Sequence, residues 1–128
     1  MRHSFESLAD VFTYSTRKYA KRPAFNYIGE DQSYTFASFS EICRRQARLL
    51  SNFGISTGDK VAILSQNMPN WPVAFFAITA FGRVAVPMLT ELSENEIRIF
   101  SRIRIPRRCM YRVGCIPKFP RSCWTVCM

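Results

Sequence analysis

The sequence predicts an α/β fold, and three observations point to it. From Lys60 to Ile97 the pattern runs strand, helix, strand, helix start, which is the order of a βαβ unit. The strand at its head, Val61-Ala62-Ile63-Leu64, is an unbroken apolar run, as in a strand covered on both faces of a parallel sheet. In the helix that follows, Phe75, Phe76, Ile78 and Phe81 wrap most of the circumference, so burial on more than one side is expected. One such unit has too few strands and covering helices for a complete parallel sheet, and no internal repeat adds more.

The elements follow in chain order. Residues 4–21 read as an amphipathic helix with Ser4 as N-cap. Phe5, Leu8, Val11 and Phe12 share a face that Tyr19 continues, and Lys18, Lys21 and Arg22 sit where a helix C-terminus favours cations. Pro23 stops it. Ala24–Ile28 and Ser33–Phe36 read as two strands of an antiparallel hairpin around the turn "GEDQ". A second helix is expected from Ser38 to Asn52. Phe39, Ile42, Cys43, Ala47, Leu49 and Leu50 form its buried side, Arg44, Arg45 and Arg48 its wet side, and Gly54 is its terminating glycine. After the strand at 61–64, "NMPNWP" makes a turn. Asn70 caps the third helix, Pro72 lies in its first turn and Gly82 ends it. Val84–Pro87 is the next strand. Ser93, with Glu96 three residues on, has capping-box spacing and opens a further helix.

Charge divides the chain in two. Residues 1–97 hold ten Lys and Arg against nine Asp and Glu, whereas residues 98–128 hold eight basic residues and no acid. Cysteine divides likewise: Cys43 in the first part, then Cys109, Cys115, Cys123 and Cys127 in the second. The whole-chain charge of +9 is thus a property of the tail. Hydrophobic content of 48% excludes disorder by composition for the chain as a whole. The apolar run Val73–Phe81 is too short to span a bilayer. The first ten residues do not form a signal peptide, so the expected location is cytoplasmic.

Motifs for catalysis are missing. Gly54, Gly58 and Gly82 are isolated turn glycines rather than a phosphate-cradling loop, and Lys60 is a turn residue beside one of them. His3 is the sole histidine, and no G-x-S-x-G motif makes Ser65 a nucleophile. Cys43 reads as a buried structural thiol. Trp71, Phe75, Phe76 and Phe81 could line a ligand channel, but at helical spacing they read as core. Successive tail cysteines are separated by five, seven and three residues, which lacks the tight pair of a zinc site. The site residues therefore read as none: no catalytic, cofactor-binding or metal-ligating position is assigned.

Jointly, "GIxxGDxVAI" (Gly54–Ile63), "NxPxW" (Asn67–Trp71) and "GxVxVP" (Gly82–Pro87), with "SYTFASF" (Ser33–Phe39) and "LSENEI" (Leu92–Ile97), carry a resemblance. Residues 5–97 resemble the N-terminal region of the AMP-dependent, adenylate-forming acyl-CoA synthetases, most like the long-chain fatty acid CoA ligases. The resemblance implies the N-terminal portion of a larger adenylate-forming α/β domain, spanning residues 1–97. It implies a ligase that takes a fatty acid as small-molecule substrate and uses ATP, CoA and Mg. A carboxylate attacks the α-phosphate of ATP, and the CoA thiol then displaces AMP. It also implies peripheral membrane association in the family, no specific nucleic acid and no defined protein partner. The family's Ser/Thr/Gly-rich phosphate loop, its Tyr-Gly-x-Thr-Glu segment and its adenylation lysine domain have no counterpart in this sequence. No functional residue carries over, and the chain alone is expected to be inactive and to bind none of the three cofactors well. A half-built sheet also exposes apolar faces and a strand edge, so aggregation or a soft state is expected.

Residues 98–128 read as a basic, Cys-rich, irregular tail translated out of frame. Taking the third base of each codon with the first two of the next forces valine across Met110 and Tyr111, leucine across Cys123 and Trp124, and aspartate across Trp124 and Thr125. One permitted reading from codon 99, "ILTHSDSKAMYVSGWLYSKVSQELLDRLY", continues the helix, adds a strand at "KAMYVS" and then an amphipathic segment. The rival reading is a small basic protein whose Arg/Cys tail contacts nucleic acid or an anionic membrane.

Overall fold

The computed structural model describes residues 4–26, 33–65, 70–89, 91–93, 95–96, 110–112 and 125–127, the last two segments by their backbone. Helix α1 spans Leu8–Lys18 and starts later than the apolar pattern suggests. Its N-cap is Ser7, not Ser4. Ser7 Oγ accepts from the Asp10 amide at 3.2 Å, and Asp10 Oδ2 accepts from the Ser7 amide at 3.0 Å. This reciprocal box satisfies two of the amide donors at the start of the helix. Phe5 and Leu8, expected on the buried face, are 42% and 47% exposed as a result. The buried contacts of α1 are Phe12 and Thr16, and Thr16 Oγ1 donates to the Phe12 carbonyl at 2.8 Å.

Strands β1 (Pro23–Asn26) and β2 (Ser33–Thr35) pair antiparallel, with Phe25 opposite Tyr34 and an irregularity between Pro23 and Phe25. The turn expected between them lies outside the described residues. Pro23 opens a strand, a position that needs no amide donor. Phe36 does not close β2 but begins helix α2 (Phe36–Asn52), because Thr35 and Ser38 form a second capping box, with the Ser38 amide 3.2 Å from Thr35 Oγ1. Along α2 the buried residues are Phe39, Cys43, Ala47 and Leu50, a single stripe at helical spacing. Leu49 lies off that stripe and is 42% exposed, contrary to the sequence expectation.

The end of α2 is a Schellman motif. Gly54 sits at φ 77°, its amide donates to the Ser51 carbonyl at 2.9 Å, and the Ile55 amide reaches back to the Leu50 carbonyl at 3.1 Å. Ile55 and Leu50 then share one apolar cluster. The chain turns through Gly58 into β3 (Lys60–Leu64), passes through α3 (Asn70–Thr79) and returns as β4 (Val84–Met88). β3 and β4 run parallel with Lys60 opposite Val84, so the expected βαβ unit is present. β4 pairs only with β3 among the described residues. The Val84 amide donates to the Asp59 carbonyl at 2.9 Å, so in this register Ala85 and Pro87 turn their backbone groups to the open edge. Pro87 has no donor to lose there.

Two segments in the stretch expected to be irregular take strand geometry. β5 (Met110–Arg112) pairs parallel with β3, and β6 (Thr125–Cys127) pairs parallel with β5, giving the order β4-β3-β5-β6. The Ser93–Glu96 box also forms, with Glu96 Oε2 accepting from the Ser93 amide at 2.8 Å; the helix beyond it lies outside the described residues.

Helix α3 lies between two apolar clusters. Ala74 and Ile78 join Leu50, Ile55, Val61 and Ile63 against the sheet. Val73 and Ala77 join Phe12, Phe39 and Cys43 against α1 and α2. The aromatic side chains expected as core occupy these contacts. Phe76 stacks on Phe12 at 5.6 Å, and Trp71 stacks on Phe75 at 5.2 Å.

Candidate functional site

Lys60, Ser65 and Cys43, weighed in the sequence, do not form one site. Lys60 opens β3, half-buried, with no glycine-rich loop around it. Ser65 is buried at the end of β3. His3, Cys109, Cys115 and Cys123 lie outside the described residues, and the side chain of Cys127 does too. Among the described residues no group of three or more His, Cys, Asp or Glu side chains is placed to hold a metal ion, and no helix is long and apolar enough to cross a membrane. Cys43 Sγ rests 3.6 Å from the Val73 carbonyl in the seam between α2 and α3. Burial pushes its thiol up to about 12, so it stays protonated and unreactive at neutral pH.

One open cleft of about 400 Å³ is lined by Arg44, Ala47, Arg48, Ser51, Thr57, Phe81 and Arg83. It sits at the amino ends of β3 and β4. α2 supplies Arg44 and Arg48 one turn apart, and the residue just before β4 supplies Arg83. Its floor is rigid for a backbone reason. The Gly58 amide donates to the Gly82 carbonyl at 2.7 Å, and a Cβ on Gly82 would stand 2.9 Å from Thr57 Cγ2. Gly82 also needs its φ of 80°, which only glycine adopts without strain.

Arg83 is 92% buried, with 8% of its surface exposed. Its Nε donates to the Ile55 carbonyl at 3.1 Å, and its Nη2 to the same carbonyl at 3.0 Å and to Ser51 Oγ at 2.6 Å. All these acceptors are neutral, and no carboxylate among the described residues pairs with it. Arg83 thus caps the C-terminal end of α2, where the helix dipole favours a cation. Sequence reasoning assigned Arg44 and Arg48 to a wet face and did not single out Arg83. The one visible signal was the four-residue spacing of the first two.

The hairpin, the capped helices and the βαβ unit with its parallel strands share the fold of one part of larger solved proteins. The AMP-binding enzyme family model matches residues 12–102, and the chain belongs to that family. A long-chain-fatty-acid–CoA ligase of Haemophilus influenzae is 37% identical over 96 residues, which make up 74% of this chain and 17% of that enzyme. 4-Coumarate–CoA ligase 2 of Oryza sativa subsp. japonica is 43% identical over 66 residues, 52% of this chain and 12% of that enzyme. Among solved structures, IdnL1 superposes with a TM-score of 0.82 over 98% of this chain and 26% of its own, at 19% identity, a likeness of fold alone. The chain therefore spans a small fraction of the length of the relatives it matches. The family match falls almost wholly on the charge-balanced part of the chain, so the rival reading, which rests on the basic tail, is not favoured.

Proposed function

We propose that this chain is a piece of an ATP-dependent long-chain fatty acid:CoA ligase and that alone it does not turn over. The observation that carries the proposal is the family match across residues 12–102, joined to relatives named as acyl-CoA-forming ligases. In such an enzyme a fatty carboxylate attacks the α-phosphate of ATP to give an acyl-adenylate and pyrophosphate, and the CoA thiol then takes the acyl group with release of AMP, with Mg balancing phosphate charge. The described residues of this chain offer no glycine-rich loop to cradle the phosphates of ATP. The glycines at positive φ are turn glycines, and the segment between β3 and α3 reads Ser-Gln-Asn-Met-Pro, without glycine. In this reading its side chains carry no catalytic step. Its part in the reading is scaffold: the first parallel strands and their covering helices. Cytoplasmic residence, with peripheral membrane contact, belongs to the same proposal.

The test is direct. The purified chain, given palmitate, ATP, CoA and Mg²⁺, is expected to form no AMP; palmitate-dependent AMP would overturn its inactivity. Residues 12–97 placed in the matching segment of the Haemophilus influenzae ligase should retain AMP formation. A folded but inactive chimaera would count against the ligase reading.

The same reading covers residues 98–128, which we infer are translated out of frame. The support is the break in charge and cysteine content after residue 97, together with the helix-and-strand order of the shifted reading. Sequencing the gene decides this: an intact frame without a single-base slip near codon 98 removes the idea.

A further inference from the structure

We infer that the cleft of Arg44, Arg48 and Arg83 binds a phosphate group carrying two or more negative charges, such as a phosphomonoester or pyrophosphate. The inference stands on the cleft itself and not on the ligase reading. Three guanidinium groups line one opening, and no Asp or Glu among the described residues lines it. Like charges gathered on one wall repel, and the arrangement is relieved when an anion sits among them. Arg83 sharpens the requirement. It is nine-tenths buried and its described acceptors are a carbonyl and a hydroxyl, so no carboxylate among the described residues neutralises its charge. Burial of a cation without an anion is costly, and an anion at the cleft mouth offsets that cost.

The lining also selects the chemistry. Arg44 and Arg48 are exposed and one helical turn apart, so both forks can reach one ligand from the same side. Thr57 adds a hydroxyl, whereas the Ser51 hydroxyl already donates to the Ala47 carbonyl at 3.1 Å and accepts from Arg83. Only Ala47 and Phe81 are apolar. Small-molecule sites of about 300–1,000 Å³ are usually mostly apolar; this one has the size and the opposite lining, which fits a small polyanion rather than an acyl chain. Arginine forks match phosphate oxygens in pairs, and three of them match more than one negative charge.

Inorganic pyrophosphate is the probe, titrated into the 128-residue chain at physiological salt and followed by the backbone amide resonances of Ser51, Thr57 and Arg83. These are expected to shift saturably. The double substitution Arg44→Ala with Arg48→Ala should weaken binding about tenfold, because two charge-assisted contacts are lost at exposed positions that do not hold the fold. Arg17→Ala with Lys21→Ala removes the same charge from exposed positions in and just after α1, and should leave the affinity within about twofold. Equal weakening by both pairs would show unspecific attraction to a basic chain, and would overturn the site. Absence of saturable shifts at the three amides would overturn it as well. Phosphatidylcholine vesicles with and without phosphatidic acid distinguish the source of the phosphate. Vesicle binding that needs phosphatidic acid, Arg44 and Arg48, and that pyrophosphate displaces, assigns a lipid headgroup. Pyrophosphate binding without vesicle binding assigns a soluble phosphate compound.

Discussion

Helix α2 has one buried stripe and one wet face, while α3 has no wet face. On α2, Phe39, Cys43, Ala47 and Leu50 point inward, and Arg44, Arg45 and Arg48 stay exposed. On α3 none of the residues Asn70–Thr79 is exposed, because the sheet cluster takes Ala74 and Ile78 and the helical cluster takes Val73 and Ala77. The difference follows from position in the layers. α3 lies between the sheet and the other two helices, and α2 covers only part of each cluster. A helix in the first situation can hold no charge; one in the second can present charge to a cleft.

The largest expected effect breaks that contrast directly. Ala77→Asp places an unpaired carboxylate at a fully buried position beside Phe12 and Phe39, and should destabilise α3 by about 3–5 kcal/mol. Arg45→Asp, on the wet face of α2, should change local stability by no more than about 0.5 kcal/mol. Amide hydrogen exchange reads both locally. Retained protection across α3 in the Ala77→Asp chain would show that this face is not buried against α1 and α2.

A second test concerns the seam between the two helices. Cys43 has its thiol raised from 9.0 to about 12 by burial. Between those pH values the unfolded chain loses its thiol proton while the folded chain keeps it, so the folded state binds more protons and stability falls as pH rises. The slope is at most about 1.4 kcal/mol per pH unit. It should disappear in Cys43→Ala, compared with the parent chain across the same range. An unchanged slope would place the thiol in contact with solvent.

The smallest effect separates the ends of the same two helices. Gly54 and Gly82 both sit at positive φ, at 77° and 80°. A Cβ on Gly54 meets nothing within 4 Å, so Gly54→Ala should cost only the backbone strain, about 1 kcal/mol. Gly82→Ala adds a 2.9 Å contact with Thr57 Cγ2 and should cost more, with lost exchange protection reaching the Gly58 amide. Equal costs would mean that the loop at 56–58 yields freely, and that the cleft floor is softer than its hydrogen bonds indicate.

Much of this was legible residue by residue, and the misses have local causes. The unbroken run at Val61–Leu64 predicted a strand buried on both faces, and those four residues are at most 1% exposed. Gly54 announced the end of α2. The start of α1 was misplaced because apolar spacing drew the helix back over Phe5, whereas Asp10 reciprocates the cap of Ser7 and fixes the first turn there. Phe36 was assigned to a strand by its aromatic type, although Thr35 and Ser38 made a helix cap of that position. Leu49 was counted as buried for being apolar, yet it lies away from the line through Phe39, Cys43, Ala47 and Leu50. No rule of spacing could find the cleft. Arg44 and Arg48 are neighbours along one helix, but Arg83 lies far from them in the chain.

The sequence by itself determined the kind and order of the elements and where most of them stop, because caps, glycine turns and apolar periods act over three to five residues. Only the tertiary structure decided which elements cover the two faces of α3, and that Arg83 would dock on the end of α2. Those outcomes rest on contacts such as Arg83 to Ile55, 28 residues apart, and Arg83 to Ser51, 32 apart. They exist only when the parallel pairing of β3 with β4 brings the start of one strand beside the helix that precedes the other.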